Sequence, residues 1–210
     1  MATKRRRRNP RGEGVLLRAE LLDAAEELLR KKGHQDRVSI NEIVSKVGVT
    51  PPALYAHFPD KAELFREVHA CAMSDFGEFI DKRVRRISPA IEQLRARGQA
   101  YLAYALAHPD AYRSLFMNPS SPDATSPDLP VLLLQDTAYS GLANNVSRCR
   151  QEGSLPIQED EDDQVARTLW ALVHGVSSIV LAMPLGFEPY GPENMLRHAI
   201  DHYLAGFNAL

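Results

Sequence analysis

Three residues near the C-terminal end of the chain have the types and spacing of a metal-binding group. His198, Asp201 and His202 form an H-x-x-D-H pattern, with the two histidines four residues apart. On a helix, this spacing places both imidazoles on one face, where they could bind a transition metal. A zinc site needs further ligands, and no third ligand helix is apparent in the sequence. We therefore predict no metal site and no cofactor.

Other chemistry-bearing motifs are incomplete. Gly12-Glu13-Gly14 lacks the third glycine and the preceding strand of a dinucleotide-binding loop. Gly175-Val176-Ser177-Ser178 is followed by Ile179 rather than by the glycine of a nucleophile elbow. The five acids at 159–163 stand where a helix would begin, so the helix dipole and solvation account for them. We predict no catalytic residues and no enzymatic activity.

Charge is divided unevenly along the 210 residues, although the net charge is only −2. Residues 1–61 hold 13 basic and 8 acidic side chains, whereas residues 62–210 hold 12 and 19. The chain begins with a cationic arm, Lys4–Arg8 with Arg11, that has no apolar residue to pack. This arm could be a solvated, disordered tail, or it could neutralise phosphates or enter a minor groove. The two parts of the chain are therefore expected to meet different partners.

Cysteine usage and hydropathy favour the cytoplasm. Cys71 and Cys149 are the only cysteines, too few for a disulfide framework or a four-ligand zinc site. The apolar stretch Val15–Leu17 is too short for a signal peptide. No apolar run approaches the roughly 18 residues of a membrane span. We predict a cytoplasmic protein with no membrane partner.

Prolines divide the chain into segments whose apolar residues recur with helical period. No segment alternates with a period of two, so we predict an all-α fold of about nine helices. Residues 118–130 hold four prolines and three serines and are expected to form a mobile loop. The predicted helices span about 17–32, 39–47, 50–58, 60–84, 89–107, 110–117, 130–151, 161–183 and 192–207.

Helix-start and helix-stop signals predict a helix-turn-helix near the N-terminus. Ser39 and Glu42 have the spacing of a capping box, which starts a short helix. After a turn at Gly48, Thr50 can cap a second short helix that has Pro51 at its first position. Leu54 and Phe58 would anchor the buried face of that helix, which leaves its other side to face a DNA groove.

The residues 21–65 resemble the N-terminal domain of TetR/AcrR-type transcriptional regulators over its whole length. The resemblance rests on Gly33, the Ser39…Ile43-Val44…Val47-Gly48-Val49-Thr50 run, Leu54-Tyr55-x-His57-Phe58 and Lys61. It implies a basic arm at 1–14, a DNA-binding domain at 15–62 and a ligand-binding and dimerisation domain at 63–210. Family members often have glycine at position 52 and a hydroxyl residue at 53, so Pro52 and Ala53 imply few base contacts here.

The resemblance also implies which residues contact double-stranded operator DNA. Ser39 and Thr50 would bind phosphates, while Tyr55, His57 and Lys61 would hold the DNA backbone. Ala53 and Ala56 would make small contacts to bases or thymine methyl groups. Tyr55 and His57 could instead be half-buried core residues, and Lys61 a solvated lysine. The predicted DNA-binding set is Ser39, Thr50, Pro51, Ala53, Tyr55, His57 and Lys61.

The acidic remainder resembles the ligand-binding half of the same regulators. The Trp170-x-x-x-His174-Gly175 pattern and the segment AHPDAYRSLF are similar to a C-terminal type named for Trp, His and Gly. A row of small residues on the same segment would let another helix approach closely, either in a homodimer or within one chain. This predicted dimer row is Ala171, Gly175, Ser178 and Ala182.

Aromatic residues are concentrated in the middle helices, where they could line an apolar pocket or simply form core. The candidate pocket residues are Tyr101, Tyr104, Tyr112, Phe116, Trp170 and His174. The resemblance thus implies a homodimeric regulator, most often a repressor, released from a palindromic operator by a small, largely apolar effector. The alternative is a helical small-molecule-binding protein or enzyme with little or no specific DNA binding.

Overall fold

A computed structural model describes residues 14–117 and 137–207. Within these ranges the chain forms nine α-helices and no strand, which confirms the all-α prediction. The predicted basic arm before Gly14 and the predicted loop at 118–130 lie outside the described residues. The helices are α1 (Gly14–Lys32), α2 (Ile40–Val47), α3 (Pro51–Tyr55), α4 (Lys61–Val84), α5 (Ala90–Ala107), α6 (Pro109–Phe116), α7 (Thr137–Gln151), α8 (Asp162–Ala182) and α9 (Pro192–Gly206).

The chain divides into two compact units. The first comprises Met1–Ala72 with Arg113–Ala124, and the second comprises Met73–Tyr112 with Thr125–Leu210. The division falls inside α4, later in the chain than the predicted boundary after residue 62. It also falls inside α6, so that Tyr112 and Phe116, which stand on one short helix, belong to different units.

The first unit has an apolar core to which α1, α2, α3 and the start of α4 each contribute. Leu21, Ile43, Leu54, Phe58 and Leu64 are all completely buried there. The four helical segments therefore share one core, and this core fixes the orientation of α3. The helix α3 is too short to be stable by itself, since isolated helices below about 12 residues are marginal in water.

Local signals set the turn between α2 and α3 as the sequence predicts. Ser39 and Glu42 form the complete capping box at the start of α2. Gly48 ends α2 in the left-handed conformation, with φ of 79°, where a residue without Cβ is favoured. The regular part of α3 ends at Tyr55, three residues before the predicted end at Phe58. Phe58 nevertheless lies in the core.

The second unit is a bundle in which α5 packs against α7, α8 and α9. Gly98 on α5 permits a close approach, because a Cβ atom there would lie 2.5 Å from Ile200 Cδ1 on α9. Buried apolar residues line every helix of the bundle, among them Leu102, Val146, Leu169 and Leu196.

The bundle also buries polar side chains. Gln93, Arg97, Asn145 and Ser177 are each at most 8% exposed. Gln93 Nε2 donates to the Val84 carbonyl at 2.9 Å and Asn145 Nδ2 donates to the Ala90 carbonyl at 2.9 Å, so these two amides tie helix ends together. Within the described residues, four buried polar atoms of these side chains have no hydrogen-bond partner: Asn145 Oδ1, Ser177 Oγ, and Nε and Nη1 of Arg97.

One segment is long and apolar enough, by length and composition alone, to cross a membrane. It covers Glu159–Ala182, which includes α8, and its mean hydropathy reaches 1.5. In the bundle, Val165, Leu169 and Val173 of this helix are buried against neighbouring helices. A helix at the centre of a bundle passes the same test, so the hydropathy of α8 does not identify a membrane span.

Candidate nucleic-acid interface and effector pocket

The helix α3 turns one side to the core and the other to solvent. Leu54 and Phe58 are completely buried, whereas Tyr55 is 50% exposed. Thr50, Pro52 and Ala56 are exposed, and Pro51 and Ala53 are half-buried. The predicted DNA-binding residues of this segment therefore share one accessible surface, which we call the α3 face: Thr50, Pro51, Pro52, Ala53, Tyr55 and Ala56.

The start of α3 offers few backbone hydrogen-bond donors. Residues Pro51 and Pro52 carry no N–H, and the N–H of Ala53 donates to the Thr50 carbonyl at 2.9 Å. The first three residues of α3 therefore present no free N–H to a phosphate. The Thr50 side chain makes no capping hydrogen bond, so its exposed hydroxyl is the polar group that this end of α3 presents.

Ser39 is exposed but its hydroxyl is engaged within its own helix start. It donates to Glu42 Oε2 at 2.8 Å and accepts from the Glu42 N–H at 3.3 Å. The Lys32 ammonium, which also hydrogen-bonds this carboxylate, is the largest cause that lowers the pKa of Glu42 to about 2, ahead of the Ser39 N–H and hydroxyl. The phosphate contact predicted for Ser39 would have to share this hydroxyl with the capping box.

Tyr55, which belongs to the α3 face, and two residues beyond it, His57 and Lys61, complete the predicted DNA-binding set. Tyr55 is 50% exposed and is not among the buried residues of the core. His57 is half-buried, and a Cβ atom on Gly14 would lie 3.7 Å from its Cε1 atom. Lys61 is half-buried, with Nζ 5.8 Å from the centre of the Phe65 ring. All three lie in the first unit.

Two polar residues outside the predicted DNA-binding set are also exposed on the helix-turn-helix. Asn41 and Ser45 lie one turn apart on α2, away from the buried Ile43 and Val44. The signal that could have found them is the helical period of α2, since positions 41 and 45 share a face that carries no apolar residue.

In the second unit, three elements bring hydroxyl groups to one histidine. The Tyr101 hydroxyl on α5 lies 3.1 Å from His174 Nδ1, and the Tyr112 hydroxyl on α6 lies 3.0 Å from the same atom. Ser178 Oγ lies 3.3 Å from His174 Nε2, because residues four apart on α8 face the same side. We call Tyr101, Tyr112, His174 and Ser178 the polar cluster.

Aromatic rings surround the polar cluster. The rings of Trp170 and His174 are stacked with centroids 5.6 Å apart, and Tyr112 stacks on His174 at 6.0 Å. The Tyr104 ring contacts the Phe76 ring, with centroids 4.8 Å apart. The Phe76 ring in turn contacts the Tyr101 ring, with centroids 4.9 Å apart. Five of the six predicted pocket residues thus lie in the second unit, whereas Phe116 belongs to the first.

Burial keeps the polar cluster uncharged. It lowers the pKa of the half-buried His174, so the imidazole is neutral at pH 7. It also raises the pKa of Tyr112, which keeps that phenol protonated. The hydroxyls of Ser178, Tyr101 and Ser177 oppose the rise in the pKa of Tyr112. Ser177 Oγ is completely buried and has no hydrogen-bond partner of normal geometry. Buried hydroxyls without partners are rare and call for a bound water or ligand.

The residues of the predicted dimer row differ in their surroundings. Ala171 and Ala182 are exposed, and a Cβ atom on Gly175 would have no atom within 4 Å. Ser178, by contrast, contacts His174 in the polar cluster. Close packing within the chain therefore does not explain the small residue at Gly175. Ile179 and Met183, which are 47% and 60% exposed, extend the same open side of α8.

The H-x-x-D-H residues have structural partners. Asp201 Oδ1 accepts from Arg95 Nε at 2.7 Å, and His202 Nδ1 lies 2.9 Å from the His198 carbonyl. In the part of the chain that the structure describes, no group of three or more metal-ligating side chains occurs. The acids at 159–163 also have partners, since Asp162 forms a two-point ion pair with Arg150.

Two family models match the chain. One, described as "Bacterial regulatory proteins, tetR family", matches residues 21–68, which contain α2, α3 and most of the first core. The other, "Tetracyclin repressor-like, C-terminal domain", matches residues 94–203, more than half of the chain. The chain belongs to the TetR family. The second match includes Trp170, His174 and Gly175, while its description does not name the Trp-His-Gly type, so that subtype stays a prediction.

Individual transcriptional regulators are similar to this chain over part of its length. The transcriptional activator FasR of Mycolicibacterium smegmatis is 30% identical over 115 residues, which are 55% of this chain and 51% of FasR. The transcriptional repressor BdcR of Escherichia coli is 38% identical over 68 residues, 32% of this chain and 34% of BdcR. This chain therefore spans about half or less of the length of these curated relatives.

A likeness in fold to solved structures extends over nearly the whole chain. A putative tetR family transcription regulator from Shewanella sp. PV-4 superposes with a TM-score of 0.65 over 92% of this chain and 97% of its own, at 17% identity. A solved protein of unknown function from Rhodococcus sp. RHA1 superposes with a TM-score of 0.72 over 91% of this chain and 95% of its own. Its sequence is 22% identical, so this likeness concerns the fold. The tetR family match over residues 21–68, together with the helices described above, confirms the predicted architecture of an N-terminal helix-turn-helix followed by a helical domain.

Proposed function

We propose that this TetR-family chain is a transcriptional regulator that binds double-stranded operator DNA as a homodimer. The observation that carries this proposal is the α3 face, a short helix held rigidly by Leu54 and Phe58 with its other side exposed. A recognition helix enters the major groove, and two of them address half-sites one helical turn apart. The operator is accordingly expected to be palindromic.

Contacts to the DNA backbone would come from the edges of this face. The Thr50 hydroxyl and the Tyr55 phenol are exposed, and Lys61 begins the next helix. Such contacts fix the protein on the duplex and make affinity fall with salt. A fluorescence-anisotropy titration of DNA from upstream of the coding region, at several salt concentrations, tests the proposal.

A pair of lysines on α4 provides the matched comparison. Lys61→Ala is expected to lower affinity for all duplexes and to reduce the slope against log salt by about 1. Lys82→Ala, near the other end of α4 where the lysine pairs with Glu78, is expected to leave both unchanged. No specific duplex binding at low salt would contradict the proposal and favour a helical small-molecule-binding protein instead.

Dimerisation would use the open side of α8. Ala171, Gly175 and Ala182 allow close approach, and the exposed apolar side chains Ile179 and Met183 would be buried. Ile179→Lys is expected to yield monomers in sedimentation-velocity experiments. Leu106→Lys, at another apolar residue of the second unit with 39% exposure, should stay dimeric. A wild-type chain that sediments as a monomer at all concentrations would contradict the dimer.

The polar cluster is the proposed effector site. It combines neutral hydrogen-bonding groups with aromatic rings, which suits a small, largely apolar effector with one or two polar atoms. Trp170 is the only tryptophan and stacks on His174, so its fluorescence reports on the site directly. Compounds that quench Trp170 should also weaken operator binding in the wild type, and Tyr112→Phe should reduce both effects. Quenching without any change in operator affinity would contradict effector control.

The expected output is repression in the cytoplasm without enzymatic activity. The resemblance favours a repressor. Of the two similar proteins named above, BdcR is named a repressor and FasR an activator. A reporter gene placed behind the upstream DNA tests the direction. Expression should rise when the gene for this chain is deleted, whereas a fall would identify an activator.

A further inference from the structure

Arg97, on α5, is a charged side chain that the second unit buries with only part of its hydrogen-bonding capacity used. It is 8% exposed, and its Nη2 donates to Asp81 Oδ1 at 2.8 Å. Within the described part of the chain, its Nε and Nη1 atoms are buried and have no hydrogen-bond partner. Nε carries one hydrogen and Nη1 carries two, so three donors of a permanently charged group are unsatisfied. Because such donors are costly to bury, stability alone does not account for an arginine at this position.

The neighbouring helix α7 makes room for the guanidinium group. Gly141 lies in the interior of α7, where glycine weakens a helix relative to alanine. A Cβ atom at this position would lie 2.7 Å from Arg97 Nη1 and 3.2 Å from Arg97 Cζ and Nη2. The glycine and the arginine are therefore fitted to each other, although each is unfavourable for stability. Such departures from local rules are expected at functional sites.

The guanidinium lies one helical turn from the polar cluster. Arg97 and Tyr101 are four residues apart on α5, so they share a side of this helix at a separation of about 6 Å along its axis. Both side chains meet α4, Arg97 at Asp81 and Tyr101 at the Phe76 ring. The Tyr101 hydroxyl also lies 3.1 Å from His174 Nδ1 of the polar cluster. A molecule about as long as benzoate or a short fatty acid spans this distance.

Charge at this position favours an anion. The guanidinium keeps its charge at any physiological pH, whereas the Asp81 side chain is 50% exposed, so solvent screens much of the opposing charge. A carboxylate accepts charge-assisted hydrogen bonds from arginine and has a planar geometry that matches the guanidinium. The aromatic rings along α5 favour a singly charged group over a phosphate dianion, because burying a second charge is more costly.

We propose that Arg97 is an anion-binding residue and that the effector is a small carboxylate with an apolar body. The carboxylate accepts hydrogen bonds from Nε or Nη1 of Arg97, and the apolar body extends along α5 toward Tyr101 and the rings of the polar cluster. This inference rests on the proposed function, because it specifies the chemical class of the effector.

The test compares pairs of compounds that differ in charge and hardly in shape. Benzoate with benzamide, and hexanoate with hexanamide, are titrated into the full-length chain, with Trp170 fluorescence and the melting temperature as readouts. At least one carboxylate is expected to bind about tenfold or more tightly than its amide, because hydrogen bonds to a charged group are stronger by at least this factor. Acetate and inorganic phosphate, which lack an apolar body, should bind more weakly than that carboxylate.

Two variants test whether this preference depends on Arg97. Arg97→Met removes the guanidinium and should bring the carboxylate-to-amide affinity ratio toward one, with amide binding as in the wild type. Gly141→Ala displaces the guanidinium and should lower the same ratio, but should have no further effect in the Arg97→Met background. Arg95→Met provides the matched control, because Arg95 also lies on α5 and pairs with Asp201 and Glu92. It should leave the ratio as in the wild type.

The outcomes distinguish this inference from the function on which it rests. If neutral compounds quench Trp170 and weaken operator binding while neither carboxylate binds better than its amide, the carboxylate effector is wrong and the proposed regulator stands. Equal binding of phosphate and the carboxylates, or a carboxylate preference that persists in Arg97→Met, also overturns the site. A carboxylate that binds through Arg97 without changing operator affinity supports the site and contradicts effector control. Binding that needs Arg97 and weakens the operator complex supports both.

Discussion

The two units of this chain place their polar groups differently. In the described part of the first unit, buried side chains such as Leu21, Leu54 and Phe58 are apolar, and ion pairs such as Lys46–Glu27 lie at the surface. In the second unit, Gln93, Arg97, Asn145 and Ser177 are buried, and the polar cluster lies among aromatic rings.

This contrast fits two different tasks. An apolar core with well-packed side chains has one stable arrangement, which suits a unit that must hold a short helix in a fixed orientation. Buried polar groups cost free energy unless their hydrogen bonds are made, so a core that contains them depends on which partners are present. The second unit is therefore the one whose stability a ligand with polar atoms could change.

The largest effect is expected from the apolar core that holds α3. Phe58→Ala should lower the free energy of unfolding of the first unit by about 3–5 kcal/mol, because a large cavity replaces a completely buried ring. Tyr55→Ala removes a half-exposed ring from the same segment and should change stability by less than about 0.5 kcal/mol. Guanidinium titrations followed by circular dichroism measure both. Equal losses would contradict the assignment of the two faces.

Close packing in the second unit makes the next largest effect. In Gly98→Ala the new Cβ would lie 2.5 Å from Ile200 Cδ1 and 3.4 Å from Val173 Cγ2, so overpacking should destabilise the bundle by about 1–3 kcal/mol. Ile200→Val removes the clashing Cδ1 atom, so the double variant should recover most of this loss. Denaturation of the two single variants and the double variant measures the coupling. Simple additivity would show that Gly98 acts in another way.

Much of the fold follows from local signals in the sequence. The α2 start at Ser39, the left-handed Gly48 and the prolines before α3 act through their immediate neighbours, so their effects could be predicted. The extent of α3 was harder to predict, because Phe58 belongs to the core although it lies beyond the last helical residue. The length of a short helix depends on tertiary packing more than on propensity.

The candidate sites were predictable to different degrees. The exposed side of α3 follows from the spacing of Leu54 and Phe58. The polar cluster combines Tyr101, Tyr112 and His174 from three helices, and only the fold shows that two phenols meet one imidazole nitrogen. Spacing along α8 places Ser178 near Gly175, but only the fold shows that the Ser178 hydroxyl belongs to the polar cluster, where it also lies 3.4 Å from the Tyr112 hydroxyl.

A smaller effect of opposite sign is expected at Arg97. This residue is 8% exposed, and its Nη2 donates to Asp81 at 2.8 Å, while Nε and Nη1 are buried without partners. Because buried donors without partners are costly and Asp81 is half-exposed, Arg97→Met should stabilise the second unit by about 1 kcal/mol. Denaturant titration measures this change.

The matched control for Arg97 is Arg150, whose Nε and Nη2 both donate to Asp162. Arg150→Met should destabilise the bundle, because it removes a two-point ion pair and leaves Asp162 without its cation. If Arg97→Met were also destabilising, the buried guanidinium would have a partner such as an ordered water, and the polar core would be better satisfied than the contacts of the protein alone indicate.

The smallest effect concerns a surface carboxylate of the first unit and appears only in acid. The Lys32 ammonium, followed by the Ser39 N–H and hydroxyl, holds the pKa of Glu42 at about 2. In the unfolded chain a glutamate has a pKa of about 4.3, so the carboxylate stabilises the fold above that pH. This contribution is lost as the pH falls from about 4 to about 2. Thermal melts of the wild type and Glu42→Gln should therefore differ at pH 7 and converge near pH 2.

The exposed Glu26, whose nearest cation is the Arg30 guanidinium at 4.0 Å, provides the control, and Glu26→Gln should barely change the melting temperature. If the difference in melting temperature between wild type and Glu42→Gln stays constant down to pH 2, the capping box acts through its shape rather than through the charge of Glu42. Charged groups at the surface of the first unit would then contribute less to its stability, and the contrast with the buried polar groups of the second unit would be weaker.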